Sequence, residues 1–407
     1  MKILVVDVYG AIHSTGKITS LQYRYLKQYG HDVKVCYRGI REPKIDNSDF
    51  IPIAGLLEPG IGRLAAWISG YEGYTHPFAT RRLINFTKEF HPDVVQLNIL
   101  HGYYINSNQY ISYLRDNEIP TCYSMLDEYP YMGKCAFSFS CTQFRIGCKG
   151  HCPEKKHYPR SWFFDRSQFI FEKKKKAYEG FKKIVFTGPR WVVMRAKSSA
   201  LLKNFRIEEL DEPVDFGKTF FPRNTEILRG KLGIPKDNKI IVTVAQMSDP
   251  RKGGIYVFRV AERLLHRKDI SFVFVGCNES PIRLENMTTI PFVSSQDELA
   301  HYYSLGDLFI CTSLADTMPN VCIDAMGCGT PVAGFAEAGT PYVATSEFGT
   351  FTPTCNIDAL AKVIEDYPLK DKERILACHE YAVSRYAPEV VIRKLESIYK
   401  TLLYSNR

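Results

Sequence analysis

Two aspartates eight positions apart, Asp316 and Asp324, bracket Thr317, Met318, Pro319 and Asn320 in the run SLADTMPNVCIDAMGCGTPVA over 313–333. Threonine caps helices well, and proline is tolerated in a first turn, where its missing N–H has no helical partner. The pattern therefore predicts a helix capped at Thr317, carrying Asn320 and Val321 near its start and ending near Gly327 and Gly329 before a buried TPVA strand. A helix N-terminus attracts anions through its free N–H groups and dipole. One acid ahead of the helix and one two turns into it cannot act as acid and base on a single bond. They can hold hydroxyl groups at two ends of a ligand whose middle is a phosphate, which is the layout of a sugar nucleotide. The plain alternative is a packed helix with two capping or solvated aspartates.

Other residues carry chemistry of their own. Cys135, Cys141, Cys148 and Cys152 lie within eighteen residues, with His151 and His157 close by. Four clustered thiols without an export signal suit tetrahedral zinc better than disulfides, although the spacing is looser than paired C-x-x-C knuckles. The other eight cysteines sit in apolar runs, where a reduced thiol behaves as a small hydrophobe. The loop YGAIHSTGK (9–17) predicts a helix starting near Gly16, with Ser14, Thr15 and Gly16 at the carboxyl edge of a sheet, where open α/β folds bind ligands. It is neither a phosphate loop nor a dinucleotide fingerprint, and a simple helix cap is an equal reading. His101, in LNILHGYYIN, follows a predicted strand; a lone histidine in such a place is more often structural. The predicted helix over 169–186 combines aromatic and aliphatic residues with six lysines. It reads either as a solvated face or as contact with an anionic membrane surface.

The elements that must position these residues alternate β-branched runs with amphipathic segments, the pattern of parallel sheets covered by helices. Strands are predicted near 2–8, 32–37, 93–97, 120–125 and 183–186, then near 239–245, 271–275, 308–312 and 331–334. Prolines and a glycine in EPVDFGKTFFPR (212–223) interrupt the pattern and suggest a boundary. At 407 residues the chain has room for two such domains. No apolar run is long enough for a membrane span or a signal peptide, which points to the cytoplasm. The formal net charge of +9 allows nucleotides, phospholipid headgroups or nucleic acid as partners without choosing among them.

The 313–333 run resembles the paired-acid element of family 4 glycosyltransferases, retaining enzymes with the GT-B fold, in Ala325, Met326, Gly329, Pro331 and Val332. Both acids here are aspartate where that family usually has glutamate. The resemblance implies an α/β protein of two Rossmann-like, doubly wound domains facing a cleft: an acceptor domain over 1–217, with a Cys-rich loop at 130–160, and a nucleotide-sugar donor domain over 218–387. A C-terminal helix over 388–407 would pack back on the first domain. It further implies that Asp316 faces the donor sugar and Asp324 the ribose, with Met318, Asn320 and Val321 beside the donor. Ser14, Thr15, Gly16 and Lys17 resemble an S-T-G-[KR] loop facing the donor phosphates. Lys252 matches the family's diphosphate lysine. Gln246 or Met247 stands where the family has arginine, leaving Arg251 as the substitute. Phe292 and Val293 would lie near the base. Leu126 stands where the family has a histidine that approaches the donor sugar; His101, Asp127 or Glu128 would have to cover that contact, so His101 and Asp127 join Asp316 as catalytic candidates. A similar cysteine cluster ending in Cys-Pro occurs in a polysaccharide-assembling branch.

These features predict a metal-independent glycosyltransferase that moves a sugar from a UDP- or GDP-type donor to a glycan. The acceptor would be lipid-linked, in capsule or lipopolysaccharide assembly, with the protein peripheral on the inner face of the membrane. No cofactor is expected for catalysis, structural zinc is expected on the four cysteines, and no nucleic-acid partner is expected. A non-catalytic sugar- or nucleic-acid-binding relative and a sugar-nucleotide epimerase or hydrolase on the same fold are the alternatives.

Overall fold

The structure is a computed structural model and describes residues 1–39, 47–279 and 282–404. The chain forms two compact units, Met1–Pro213 with Pro388–Arg407, and Val214–Ala387. The division falls slightly ahead of the predicted 217/218.

In the first unit, β1 (Lys2–Asp7), β2 (Asp32–Tyr37), β3 (Phe50–Pro52), β4 (Val94–Leu97), β5 (Thr121–Ser124), β6 (Ile184–Gly188) and β7 (Arg206–Glu209) form one sheet. Every pairing is parallel, in the order β3-β2-β1-β4-β5-β6-β7. Helices α1 (His13–Gln28), α2 (Glu58–Ser69), α3 (Pro77–Phe90), α4 (Ser107–Asp116), α5 (Ser167–Tyr178) and α6 (Arg190–Lys197) connect the strands. Successive side chains of a strand point to opposite faces. Leu4, Val6, Val95 and Leu97 accordingly pack with Leu83 of α3 and Leu114 of α4. Ile3, Val5 and Val33 pack on the other face with Leu26 of α1 and with Ile392, Leu395 and Ile398 of the helix Pro388–Tyr404. The last three positions of the predicted 388–407 helix lie outside the described residues.

The second unit repeats the plan with β8 (Lys239–Val244), β9 (Ile270–Val275), β10 (Met287–Ile290), β11 (Leu308–Cys311), β12 (Val332–Phe335) and β13 (Gly349–Thr352). These are also all parallel, ordered β10-β9-β8-β11-β12-β13. Helices α7 (Glu226–Lys231), α8 (Gly254–Arg263), α9 (Gln296–Leu305), α10 (Asn320–Gly327), α11 (Ile357–Asp366) and α12 (Lys372–Tyr386) complete it. Two Rossmann-like units on parallel sheets are the fold the sequence predicted. Strand order reverses between β1 and β4 and between β8 and β11, and such reversals place ligand sites outside the carboxyl ends of the strands.

Three helix boundaries differ from expectation. Helix α1 begins at His13 rather than near Gly16, because Asp7 Oδ1 accepts the Tyr9 N–H (3.3 Å) and turns the chain directly after β1. Helix α10 begins at Asn320 with Pro319 as its cap, so Thr317 does not cap it. The 316–317 backbone is instead held by the loop after β12, where the Gly339 N–H donates to the Asp316 carbonyl (2.8 Å). Helix α5 stops at Tyr178, and the apolar run that follows becomes β6.

Candidate functional site

At the reversal in the second sheet, the loop after β8 ends in a tight turn, Pro250–Lys252, followed by Gly253 with φ of 64°. A Cβ on Gly253 would stand 1.9 Å from the Thr312 carbonyl oxygen, so only glycine lets this loop lie against the one after β11. Thr312 Oγ1 donates to the Gly253 carbonyl at 2.9 Å and fixes that approach. The result brings Lys252 Nζ to 2.5 Å from Asp316 Oδ2. Burial pushes the ammonium's pKa down, but the adjacent Asp316 carboxylate outweighs it and holds Lys252 above its ordinary value. Asp316 is itself held from the far side by Gly339, where a Cβ would meet the Thr317 carbonyl oxygen at 1.8 Å.

Between these loops lies a cavity lined by Ala245, Gln246, Lys252, Phe292, Val293 and Val321, with Thr312 and Ser313 at the end of β11. Four predicted donor residues therefore meet in one hollow. Asp316 touches Lys252, while Met318 is buried in the core and Asp324 lies half-buried one turn into α10. Arg251 is engaged elsewhere: its guanidinium grips Asp249, Nε to Oδ1 at 3.1 Å and Nη2 to Oδ2 at 2.7 Å. Burial raises the Asp249 pKa, but Arg251 outweighs it and keeps the carboxyl below its usual range. Sequence reasoning missed Gly339, whose EAGTP context carries no recognised signal without the β12 strand end beneath it.

The first sheet's reversal is filled differently. Asp7 is fully buried and accepts from Thr19 Oγ1 at 2.6 Å. Asn98 Nδ2 donates to Thr19 Oγ1 and Gln22 Oε1 (2.8 and 2.9 Å), and Gln96 Nε2 donates to Asn98 Oδ1 at 3.0 Å. Burial pushes the Asp7 carboxyl up to about 7. In the first turn of α1, Ser14 and Lys17 are exposed, Gly16 is buried, and Thr15 Oγ1 is a buried hydroxyl with no hydrogen-bond partner.

Beyond β4 and β5, His101 Nε2 lies 2.5 Å from Asp127 Oδ2, and His101 Nδ1 lies 3.0 Å from Tyr158 OH. Both His101 and Asp127 are buried. The Tyr129 N–H donates to Asp127 Oδ1 at 2.9 Å. Glu72 accepts from the Gly102 N–H at 3.2 Å, and burial raises its carboxyl. Glu128 is committed to structure, accepting from Arg195 Nε (2.8 Å), Ser138 N–H (2.5 Å) and Tyr131 OH (2.7 Å). Of the groups that could replace a histidine at Leu126, the structure pairs His101 with Asp127 and removes Glu128.

The four cysteines occupy one loop, Cys135 and Cys148 buried, Cys141 and Cys152 half-buried. Their soft donor set suits zinc, although among the described residues no three histidine, cysteine or acidic side chains stand together as a metal-holding group. The lysine helix is not uniformly solvated. Lys174 is buried and donates to the carbonyls of Tyr129 (2.5 Å) and Met132 (2.9 Å), and burial lowers its pKa to about 7. Lys173, Lys175 and Lys176 remain exposed.

Residues 224–385 match the family model described as "Glycosyl transferases group 1", which covers most of the second unit and the cavity above. The chain is 26% identical over 197 residues to a D-inositol 3-phosphate glycosyltransferase of Corynebacterium diphtheriae, covering 44% of this chain and 46% of that protein. It is 23% identical over 196 residues to an N-acetyl-alpha-D-glucosaminyl L-malate synthase of Bacillus anthracis, covering 46% and 51%. The chain thus aligns with about half the length of the curated relatives it matches. Whole-chain likeness comes from solved structures. A sucrose-phosphate synthase from Thermosynechococcus elongatus superposes with a TM-score of 0.70 at 16% identity, over 99% of both chains. Anabaena HepE in complex with UDP and glucose superposes with a TM-score of 0.63 at 12% identity, over 98% of this chain and 100% of that one. At such identities the likeness shows the GT-B fold.

Proposed function

We propose that the protein is a glycosyltransferase that moves a sugar from a nucleoside-diphosphate sugar to a hydroxyl group of a glycan. The observation that carries this reading is the Lys252–Asp316 pair beside the cavity at the β8/β11 reversal, inside the segment that matches the transferase model. A diphosphate is a stronger partner for an ammonium than one carboxylate. A bound donor would draw Lys252 onto its phosphates and release Asp316 for a sugar hydroxyl. Phe292, largely exposed on the cavity wall, offers a face on which a base can stack, with Val293 and Val321 as apolar support. In the reaction the anomeric carbon leaves the diphosphate oxygen and bonds to the acceptor oxygen. The acceptor's proton departs, and the charge left on the nucleoside diphosphate is met by Lys252. In the first unit, the His101–Asp127 pair is the group suited to take that proton or to orient a sugar hydroxyl.

The finer reading is retention of anomeric configuration, a UDP- or GDP-type donor, no catalytic metal, and a lipid-linked acceptor in surface-polysaccharide assembly on the inner face of the membrane. Among the described residues no helix is long and apolar enough to cross a membrane, so contact with lipid would be peripheral, with Lys173, Lys175 and Lys176 of α5 facing anionic headgroups. The four-cysteine loop is proposed as a structural zinc site. Metal analysis of the purified protein should give about one zinc per chain, and freely titrating thiols without metal would remove it. The central test is calorimetric binding of a panel of nucleotide sugars, followed by release of nucleoside diphosphate with and without lipid extract. Binding with lipid-stimulated release supports the reading. Absence of binding across the panel overturns it.

A further inference from the structure

Helix α2 wears its apolar face outward. Leu57, Ile61, Leu64 and Ile68 are 75%, 67%, 49% and 43% exposed. They follow one another at steps of four, three and four residues, which is a single stripe along a helix. The face turned inward carries only small buried residues, Gly62 and Ala66. A helix that packs on a soluble core presents the opposite arrangement, and an apolar surface of this extent marks an interaction site.

The stripe does not end at the helix. The Trp162 N–H donates to the Trp67 carbonyl at 2.7 Å, and the two indole rings lie 5.1 Å apart, which brings the exposed Trp162, Phe163 and Phe164 beside the end of α2. Cations interleave with these rings: Arg160 lies 3.8 Å from the Trp67 ring, Arg63 5.1 Å from it, and Arg166 4.9 Å from Tyr71. Tyr71 in turn meets Phe169 of α5 at 5.1 Å, where Lys173 sits 5.4 Å from the ring. Of the nearby acids Glu172 is exposed, and two others are engaged. Glu58 is occupied by Arg82 and the Ala79 N–H, and Asp165 accepts the N–H groups of Cys152 and Ser167.

We infer that α2 and the 162–164 aromatics form an interfacial docking surface for an anionic lipid bilayer. Leucine, isoleucine and aromatic rings would enter the boundary between headgroups and acyl chains, while Arg63, Arg160 and Arg166 hold lipid phosphates. Twelve residues make a helix of about 18 Å, shorter than the roughly 30 Å hydrocarbon layer, so α2 lies in the membrane plane. A second copy of the chain is the poorer occupant, because a twofold contact through this surface would set its arginines against their own equivalents. The inference deepens the membrane contact proposed above and moves its centre from the lysines of α5 to α2.

The test is co-sedimentation of the full chain with vesicles of phosphatidylcholine alone or mixed with phosphatidylglycerol. Wild type should sediment with the anionic vesicles. The double variant Ile61→Ser, Leu64→Ser should bind them about tenfold more weakly or worse. Arg63→Gln should bind several-fold more weakly to the anionic vesicles and show a smaller preference for anionic lipid. Circular dichroism and nucleotide-sugar calorimetry on each variant establish that it is folded. Wild type remaining in the supernatant, or a stripe variant that binds as well as wild type, overturns the inference. So does a wild-type dimer that the stripe variant dissociates. Vesicle binding without nucleotide-sugar binding leaves this surface standing and removes the proposed activity; the converse does the reverse.

Discussion

The two sheets run their strands in the same order, yet the point of reversal is hollow in the second unit and plugged in the first. Around β8 and β11 two close backbone approaches, at Gly253 and Gly339, push loops together and leave a cavity beside a charged pair. Around β1 and β4 the same topological position is filled by Asp7, Thr19, Asn98, Gln22 and Gln96, hydrogen-bonded to one another out of water. Topology alone therefore does not make a cavity. What separates the two is whether the polar groups at the strand ends satisfy each other or are left beside open space.

Four substitutions sharpen this contrast. Lys252→Ala should have the largest effect, costing nucleoside-diphosphate binding about 3 kcal/mol, roughly a hundredfold, and the free nucleoside far less. Equal losses for both ligands in calorimetry would break the assignment of Lys252 to phosphate. Asp7→Asn addresses the plugged reversal. The folded-state carboxyl is raised to about 7, chiefly by burial, from an ordinary value of 3.8. The folded protein thus holds a proton that the unfolded chain gives up, and stability should fall as pH rises from about 4 to about 7, then level off. Denaturant unfolding across that range should show the wild type losing on the order of 3 kcal/mol relative to the asparagine variant; parallel curves would place Asp7 in a wetter setting. Gly339→Ala should displace Asp316 and weaken donor binding by about 1 to 2 kcal/mol without altering the first unit's hydrogen-exchange pattern. Unchanged affinity would show that Asp316 does not depend on that loop. Asp127→Asn should act least, lowering turnover about tenfold through misorientation of His101 with donor affinity unchanged. A change in donor affinity alone would move the pair from proton handling to sugar binding.

Much of this was legible in the residues. The nine predicted strands are the interior ones, whose two buried faces demand continuous apolar runs. The strands missed are β3, β7, β10 and β13, which end or flank the sheets and are only partly buried, as in RIEE of β7 and MTTI of β10. Their place comes from a neighbouring strand rather than from a pattern of their own. Lys252, Phe292, Val293 and Val321 were readable through the resemblance of their surrounding residues to family 4 glycosyltransferases. The bond between Lys252 and Asp316 was not, since it depends on Gly253, the neighbour of Lys252, letting its loop touch the one at Thr312. The lysine run shows the opposite failure: four consecutive lysines suggest a solvated face, but helical geometry turned Lys174 inward, where carbonyls of the 129–132 loop satisfy it. The outward stripe on α2 escaped notice because apolar periodicity says which residues share a face and not which way that face looks.

The helix Pro388–Tyr404 carries a consequence for biosynthesis. Ile392, Leu395 and Ile398 supply part of the wall against which β1 and β2 pack, and Tyr399 OH donates to Gln96 Oε1 at 2.8 Å. The sheet of the first unit thus waits for residues translated after the second unit, while Val214–Ala387 is continuous in sequence and can consolidate before they emerge. Nascent chains stalled at residue 387 should then resist protease over the later-made unit and remain susceptible over the earlier one.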